Sequence, residues 1–571
     1  MFQLLPELKR YCAVIFLLVL ISPQISAIDV PDLSQFNGIT SGVVGKNIST
    51  SPFPLVTSSK PTFTPPVTEE KTLTGEANKI SFVLNKVIID GNHVFTTAEL
   101  QTFFKPYLHH KITVAKLQEL VQAVTNKYQN AGYFLSKAFL PPQEIHNGTI
   151  KVTIIEGFIS SVKVQDVTNK RLIRFIEKYG ANIQASKPIK LADLERTLLL
   201  LNDIPGFKVK SVLAPDPNVS LGSTLTLFVT KKPVDINVTQ DNYQTRYLGP
   251  NETAASASIN SLFTQGGTLY GHVLAADQGH KLKYYELKYS QTLGTHGWLL
   301  SLDGYVTKTN PQFILAPLEL FGTSNNVNTV LYYPVIRSKQ RNLNVIGQFE
   351  YMNNTSTALG QLLYKDPIRD ASLAAQYSDM LWKGEDSLLL TIDKGLNILD
   401  SNPPVNRSRV GASNNFLRII GTASRNQFIS DRFSLYTFVT AQYSNAILPA
   451  AQTMIFGGPY LGRGYDWAQF TGDNGVAGKV EFRMNTAPNF PFLKQVQYYV
   501  FYDVGQLGSL IPRATTVSGA AAGVGARAMI MKYLNADAFL GRPLTTPNAT
   551  QIILGRNGNA FLGYFQISAS I

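Results

Sequence analysis

The sequence has almost no cysteine. Among its 571 residues the only one is Cys12, in an apolar segment near the N-terminus. Because the rest of the chain has no thiol, it cannot form a disulfide framework, a cysteine zinc site or a thiol nucleophile. Histidine is also scarce, with 7 residues and no HExxH motif, and no GxxxxGK[ST] loop is present. The sequence therefore lacks the motifs of the common zinc hydrolases and P-loop nucleotide hydrolases.

Long apolar runs are confined to the N-terminus. A basic pair precedes a continuous apolar run over residues 11–21, and the small-residue ending Ile25-Ser26-Ala27 follows. This order predicts a secretory signal peptide over residues 1–27. Further along, no uncharged apolar stretch reaches the roughly 18 residues of a membrane helix. An exported chain of this kind can span a membrane only as a closed β-barrel.

A concentration of charge of one sign is missing too. The chain has 51 Lys and Arg against 38 Asp and Glu, a net charge of +13, but no block of basic residues. Charge dispersed in this way is typical of a solvated basic surface rather than of a nucleic-acid interface. We therefore expect no nucleic-acid partner.

Residues 28–78 are rich in Ser, Thr and Pro. Because proline fixes φ and removes a hydrogen-bond donor, this segment is predicted to be an extended linker. A short helix around residues 33–44 would be weakened by Gly38, Gly42 and Gly45. The sequence thus leaves open whether a short plug helix forms here.

Residues 79–232 contain two successive patterns of strand, helix and strand. In the first, over 79–157, Thr96 and Glu99 have the spacing of a capping box. The next helix is predicted to bury one apolar face, formed by Leu117, Leu120, Val121, Val124 and Tyr128. The second pattern, over 158–232, has a helix that ends at Pro205-Gly206 and is marked by Leu194, Leu198 and Leu201. Two small α+β domains are therefore predicted.

Residues 233–571 change to a period of two. Within Val496–Val504, the apolar Tyr498, Val500 and Tyr502 share one face, and Asp503 lies on the other. Aromatic-rich strands with an apolar outer and a polar inner face are typical of an outer-membrane barrel, and a soluble all-β domain is the alternative. At about 10 residues per spanning strand, this region accommodates about 14, 16 or 18 strands.

Several motifs occur in an ordered series along the chain. In the α+β region they are Tyr128, Ala131-Gly132-Tyr133, Leu140-Pro141-Pro142-Gln143, Ile155-Glu156-Gly157 and the stretch Leu198 to Gly206. In the strand-rich region they are Asp241-Asn242, Gln442, Leu448-Pro449, Gln452, Phe456-Gly457-Gly458, Gly462-Arg463-Gly464-Tyr465, Gly472-Asp473, Glu481 and Phe501 to Gly505. This series resembles the TpsB transporters of two-partner secretion, the haemolysin and haemagglutinin type of the BamA/TpsB superfamily.

The resemblance implies the architecture and the site. It implies an all-β transmembrane barrel of about 16 strands, preceded by two periplasmic POTRA domains. A loop near residues 457–470 would fold into the lumen, where Arg463 at its tip would pair with the wall carboxylate Asp503. The remaining residues implied are Gly462, Gly464 and Tyr465 at the tip, and Phe501, Gly505 and Glu481 on the wall. The side-chain alternation agrees, because it places Asp503 on the polar face. Taken without the series, the Gly-Arg-Gly-Tyr segment would equally fit an exposed hairpin.

The resemblance also implies a function. The protein would lie in the bacterial outer membrane, with the POTRA domains in the periplasm, and would move one unfolded TpsA-like exoprotein to the cell surface. Outer-membrane lipid and the barrel-insertion machinery would be its other partners. One departure concerns insertion, because the chain ends in Ile571 where the family usually ends in Phe or Trp.

Two other functions remain as alternatives. A BamA-like outer-membrane assembly factor would share the POTRA domains and the Arg-Gly loop. An outer-membrane barrel hydrolase is more remote, because the sequence offers no arrangement of nucleophile, base and orienting group. We therefore expect no catalytic residues, no metal site and no cofactor, and we interpret the adjacent pair His109-His110, between two predicted helices, as solvated.

Overall fold

A computed structural model of the chain describes residues 39–49, 63–64, 80–165, 167–276, 279–402, 405–488, 490–531, 533–545 and 560–570. The signal peptide expected at 1–27, most of the linker expected at 28–78 and the terminal Ile571 lie outside the described residues. Within these ranges, no helix has the length and apolar character needed to cross a membrane.

Two short elements precede the first domain. Helix α1 (Ser41–Ile48) overlaps only the end of the segment considered above, and residues 33–38 lie outside the described residues. Strand β1 (Phe63–Thr64) pairs in parallel with a strand of the second domain, at Ser211 and Val212. The linker therefore contributes to two different parts of the structure.

The first domain is a small α+β unit. Its elements are β2 (Ser81–Leu84), β3 (Lys86–Asp90), α2 (Thr97–Gln101), β4 (His110–Thr113), α3 (Val114–Asn130), β5 (Lys137–Phe139) and β6 (Thr149–Ile155). Strand β6 pairs in parallel with β3 and antiparallel with β5, and β2 pairs with β4. The Thr96–Glu99 capping box is confirmed, and the apolar face predicted for α3 is buried.

Glu156 holds the end of the first domain together. Its Oε1 accepts hydrogen bonds from the His93 and Val94 amides, at 2.8 and 2.9 Å, and from the Tyr128 hydroxyl, at 2.8 Å. Tyr128 is fully buried and packs edge to face on Phe95. Two of the motifs that carry the resemblance, Tyr128 and Ile155-Glu156-Gly157, therefore form one contact.

The second domain has one more helix than the sequence predicted. Its elements are β7 (Phe158–Gln165), α4 (Lys170–Ala185), α5 (Leu191–Asn202), β8 (Phe207–Pro215) and β9 (Gly222–Lys231). Helix α4 was missed; Asn169 caps it, and it buries Leu172, Ile176, Tyr179 and Ile183. Strand β9 lies between β8 and β7, so β8 is the strand on which β1 adds.

The rest of the described chain forms a closed barrel. Its strands are β10 (Val234–Asp241), β11 (Glu252–Asn260), β12 (Gly267–Ala276), β13 (Leu282–Leu293), β14 (Trp298–Thr309), β15 (Phe321–Arg337), β16 (Arg341–Ala358), β17 (Gln361–Leu381), β18 (Gly384–Gly395), β19 (Leu417–Phe428), β20 (Phe433–Ser444), β23 (Asn474–Thr486), β24 (Leu493–Gly508), β25 (Val517–Ile530), β26 (Leu534–Pro543) and β27 (Leu562–Ser570). The connection after β20 contains a further pair, β21 (Met454–Phe456) and β22 (Phe470–Gly472), outside the barrel wall. Within the described residues, 16 antiparallel strands close the wall through the pairing of β10 with β27.

The wall is apolar outside and polar inside. On β24, Tyr498, Val500 and Tyr502 are exposed on the outer face, whereas Phe501 and Asp503 are buried on the inner one. Trp298 stacks on Tyr333, with ring centroids 4.4 Å apart, as in the aromatic girdles of membrane barrels. The predicted fold class is confirmed, and the alternative of a soluble all-β domain is wrong.

A charged clamp joins the second domain to the barrel. The Arg337 guanidinium, at the end of β15, donates to both carboxylate oxygens of Asp203, at 2.7 and 2.6 Å. Asp203 follows α5 and belongs to the Leu198 to Gly206 motif. Because a bidentate pair fixes orientation as well as distance, this motif helps set the position of the second domain.

The contact at Glu156 predicts a loss of stability and a pH dependence. Replacing Glu156 with Ala leaves two amides and a buried hydroxyl without their acceptor, so we expect the first domain to lose about 2–3 kcal/mol. Hydrogen exchange of the β6 amides in the full-length protein measures this loss, because β6 is a buried strand of the same domain and does not contain the substituted residue. The matched control is Glu144→Ala, because that carboxylate is exposed. Unchanged exchange in Glu156→Ala would contradict the assignment.

The Glu156 carboxylate also predicts that the first domain becomes less stable at acid pH. Burial by itself would raise the pKa of Glu156, but the hydrogen bonds from Val94, His93 and Tyr128 outweigh it and lower the pKa. A lowered pKa means that the stabilisation is present above about pH 4.3 and is lost as the pH falls through the folded-state value. In Glu156→Gln, we expect this part of the acid dependence to disappear from a pH series of the same exchange measurement.

Candidate functional site: the obstructed barrel lumen

The connection between β20 and β23, residues 445–473, folds back into the barrel and is here called the inner loop. Its strands β21 and β22 pair with each other and lie against β23 and β24. Phe456, Tyr465 and Phe470 form an apolar cluster with Leu507 and Ala521 of the wall. The loop is therefore packed against the inner wall and is not an exposed hairpin.

Arg463 lies at the tip of the inner loop and is fully buried. Its Nε and Nη2 donate to Oδ2 and Oδ1 of Asp503, at 2.9 and 2.7 Å. The Gly462 and Arg463 amides donate to the same Oδ2, at 2.9 and 3.0 Å. The guanidinium carbon of Arg463 also lies over the Phe501 ring, 3.6 Å from its centre. The tip thus offers a charged fork and two amides to one wall carboxylate.

Glu481 is the second carboxylate of the site. Arg463 Nη1 donates to its Oε1 at 2.5 Å, while Arg483 and Arg527 pair with its Oε2 at 2.6 and 3.2 Å. The side chains of Asp503 and Glu481 are completely buried. Removing one partner of a buried ion pair costs about 3–5 kcal/mol, because the other charge is left uncompensated. The ion pairs therefore hold the tip against the wall. Moving the tip away has this cost unless another cation takes the place of Arg463.

Small residues allow the tip to sit this close to the wall. Gly462 has φ +78°, in the left-handed region that favours glycine. A Cβ on Gly464 would lie 2.6 Å from backbone atoms of Arg542 and Pro543, and one on Gly505 would lie 2.6 Å from the Phe456 ring. The Tyr465 hydroxyl donates to the Ala520 carbonyl at 2.9 Å. The structure thus brings all of the site residues named from the sequence into one contact region.

Helix α1 also lies in the lumen, against β14, β15 and β16. Lys46 Nζ donates to Glu350 of the wall at 3.0 Å and to Gln452 of the inner loop at 2.7 Å. A Cβ on Gly45 would lie 2.3 Å from the Thr307 hydroxyl. The glycine that weakens the helix in isolation is therefore what lets it approach the wall.

Gln452 connects the two segments in the lumen. Its side-chain amide donates to Asp370 at 2.8 Å and to Glu350 at 3.1 Å, and its Oε1 accepts from Lys46. In the sequence, Gln452 stands out only as part of a motif, and no pattern marks Lys46. Displacing α1 would therefore disturb a side chain that the inner loop shares.

A second arginine–aspartate pair lies at the base of the inner loop. Arg409 donates to both oxygens of Asp473, to the Leu448 carbonyl at 2.7 Å and to the Ser509 hydroxyl at 2.9 Å. Asp473 also accepts from the Leu448 and Leu510 amides, at 2.8 and 2.7 Å. This pair ties the base of the loop to the two neighbouring outer connections. The base of the loop is thus held by contacts that do not involve the tip.

The described residues contain no group of three His, Cys, Asp or Glu side chains placed to hold a metal ion. His109 contacts Asn85, and His110 contacts the Leu108 carbonyl, both on the exposed surface of the first domain. The charged groups around the loop tip, Arg463, Asp503, Glu481, Arg483 and Arg527, are instead paired with one another.

Comparisons with known proteins agree with this architecture. Residues 82–157 match the model of the ShlB-type POTRA domain, and residues 224–528 match that of the haemolysin secretion/activation protein ShlB/FhaC/HecB. The chain is 24% identical over 445 residues to the heme/hemopexin transporter protein HuxB of Haemophilus influenzae, covering 75% of this chain and 76% of that protein.

Solved structures show the same fold. CdiB from Escherichia coli superposes with a TM-score of 0.72 at 16% identity, covering 96% of this chain and 100% of that one. BamA from Haemophilus ducreyi, lacking POTRA domains 1–3, gives a TM-score of 0.50 at 11% identity, with coverages of 86% and 100%.

The protein is thus an outer-membrane transport barrel with periplasmic POTRA domains. The chain belongs to the ShlB/FhaC/HecB family of haemolysin secretion/activation proteins, the transporters of two-partner secretion.

The close approach at Gly464 predicts that the tip can be dislodged without changing a charge. In Gly464→Ala, the added methyl group meets backbone atoms of Arg542 and Pro543, so we expect the tip to leave its position. Trypsin added to intact cells should then cleave after Arg463, which is inaccessible in the native protein. The control is Gly347→Ala, because an added Cβ there meets no atom within 4 Å. Equal protection of both variants would show that the tip tolerates the methyl group.

Proposed function

We propose that this transporter opens when helix α1 and the tip of the inner loop leave the lumen, and that one TpsA-like exoprotein then passes through unfolded. The observation that carries the proposal is the burial of Arg463 between Asp503 and Glu481. The polar inner wall and the anchored loop base support it, because they allow the tip to move without unfolding the barrel.

The proposed division of the chain follows from this function. Residues 1–27 serve as the export signal, and residues 28–78 as a linker that carries the plug helix. Residues 79–157 and 158–232 are the periplasmic domains that receive the cargo, and residues 233–571 are the pore. Membrane lipid surrounds the pore, and the insertion machinery acts on it during assembly.

Docking in the periplasm takes place at a strand edge. Within the described residues, the side of β8 that faces away from β9 pairs only with the two-residue strand β1, at Ser211 and Val212, so the rest of that side is able to bind an extended segment. Main-chain hydrogen bonds of this kind bind many extended sequences, and side-chain pockets select among them. An unfolded exoprotein is an extended chain of the required form.

The energy for export comes from the cargo. The described residues form no metal cluster, and the sequence has no P-loop motif for nucleotide. Folding of the exoprotein outside the cell makes its return unfavourable, because a folded domain is about 5–15 kcal/mol more stable than its unfolded chain. The transporter is then a gated conduit and not an enzyme.

We expect Arg463→Ala to yield an inserted barrel that secretes poorly. Without the guanidinium the tip has no defined position, so the pore does not cycle between obstructed and open states. Heat-modifiable migration reports insertion, and the amount of exoprotein in the medium reports secretion. The control is Arg432→Ala, an exposed arginine in the turn between β19 and β20. Normal secretion by Arg463→Ala would contradict the role of the tip.

Deleting the gene distinguishes the alternatives. Loss of one secreted protein supports two-partner secretion. A general loss of outer-membrane barrels would indicate a BamA-like assembly factor, and loss of a hydrolytic activity would indicate a barrel hydrolase.

A further inference from the structure

Lys479 stands beside the loop tip without an acidic partner. It lies on the lumen face of β23, and in the barrel register it is the residue directly opposite Asp503 on β24. Its Nζ donates to the Tyr460 carbonyl at 2.8 Å. Within the part of the chain that the structure describes, it forms no ion pair with a carboxylate. Lys479 thus faces the buried Asp503, which is already paired with Arg463.

Movement of the tip would change both partners at once. Among the described residues, the hydrogen bonds to the Asp503 carboxylate all come from Gly462 and Arg463. The acceptor of Lys479, the Tyr460 carbonyl, belongs to the same short segment. When the tip leaves, Asp503 loses its cation and Lys479 loses its acceptor in a single step.

The other basic residues of the site, Arg483 and Arg527, already form ion pairs with carboxylates. Arg483 donates twice to Glu481, at 2.8 and 2.6 Å. Arg527 pairs with Glu481 at 3.2 Å and with Asp537 at 3.1 Å. Glu481 therefore keeps two cations after the tip has left, whereas Asp503 keeps none of its present donors.

We propose that Lys479 is the replacement counter-ion that neutralises Asp503 while the pore is open. Residues directly opposite on antiparallel strands have Cβ atoms about 4.5–5.5 Å apart, and the lysine side chain is long and flexible enough to bridge that gap. Opening then exchanges one cation for another and leaves no buried carboxylate uncompensated. This inference rests on the proposed function, because it requires the tip to leave its position.

The exchange makes the gate reversible. Arg463 offers a planar fork and two backbone amides, so it displaces a single ammonium group when the tip returns. Lys479 offers a single ammonium group. This group can pair with Asp503, but it does not prevent Arg463 and the tip amides from displacing it. The closed state therefore remains preferred, and the open state has a defined partner.

Single-channel recording of the full-length protein in planar lipid bilayers tests the assignment. In Lys479→Gln, the amide keeps a donor for the Tyr460 carbonyl, but the positive charge is lost. We expect the ratio of open to closed dwell times to fall about tenfold, because a charged hydrogen bond is lost from the open state only. Protection of Arg463 from trypsin should stay unchanged, and Lys479→Arg should restore the wild-type ratio. Lys288→Gln is the control, as another half-buried lysine on the lumen side of the wall.

A double-mutant cycle with Asp503→Asn separates this role from the proposed function. In that background no carboxylate needs a counter-ion, so adding Lys479→Gln should have no further effect on the dwell-time ratio. If Lys479→Gln alone leaves the ratio at its wild-type value, or lowers it equally in both backgrounds, the counter-ion assignment is overturned. If instead Arg463→Ala and Asp503→Asn change neither gating nor secretion, the proposed function itself fails.

Discussion

Two carboxylates buried inside a membrane barrel must be neutralised, and this requirement organises the site. The register of β23 and β24 places Asp503 and Glu481 diagonally across the two neighbouring strands on the inner wall. Arg463 reaches them only because the inner loop is long enough to return into the barrel and small enough at Gly462 and Gly464 to approach the wall. The charges thus determine where the loop rests, and the glycines allow it to rest there.

The lumen combines movable and fixed parts. The tip and helix α1 contact the wall through charged side chains and through apolar clusters, and Gln452 is common to both segments. The base of the loop is held by Arg409 and Asp473, and the second periplasmic domain is held by Arg337 and Asp203. The base and the domain are thus anchored by bidentate ion pairs that the proposed movement of the tip leaves intact.

Much of the architecture could be predicted from the sequence, and the failures have physical causes. Alternation along β24 identified the polar face of Asp503, because side-chain direction in a strand follows sequence directly. Helix α4 was missed although Ile176, Tyr179 and Ile183 have helical spacing, because its mean composition is polar. The Arg409–Asp473 pair joins residues 64 positions apart, and such contacts leave no local pattern. The glycines of α1 were interpreted by helix propensity, but packing against the wall outweighs it.

The pairing of β10 with β27 has a consequence for biogenesis. It joins residues 237–241 to residues 566–570, so the barrel closes only when two strands that lie far apart in the sequence meet. Until then β10 presents bare main-chain donors and acceptors, which are prone to wrong partners. Contacts between such distant parts of a polypeptide also form slowly. The topology therefore demands that this edge be kept covered until the barrel closes.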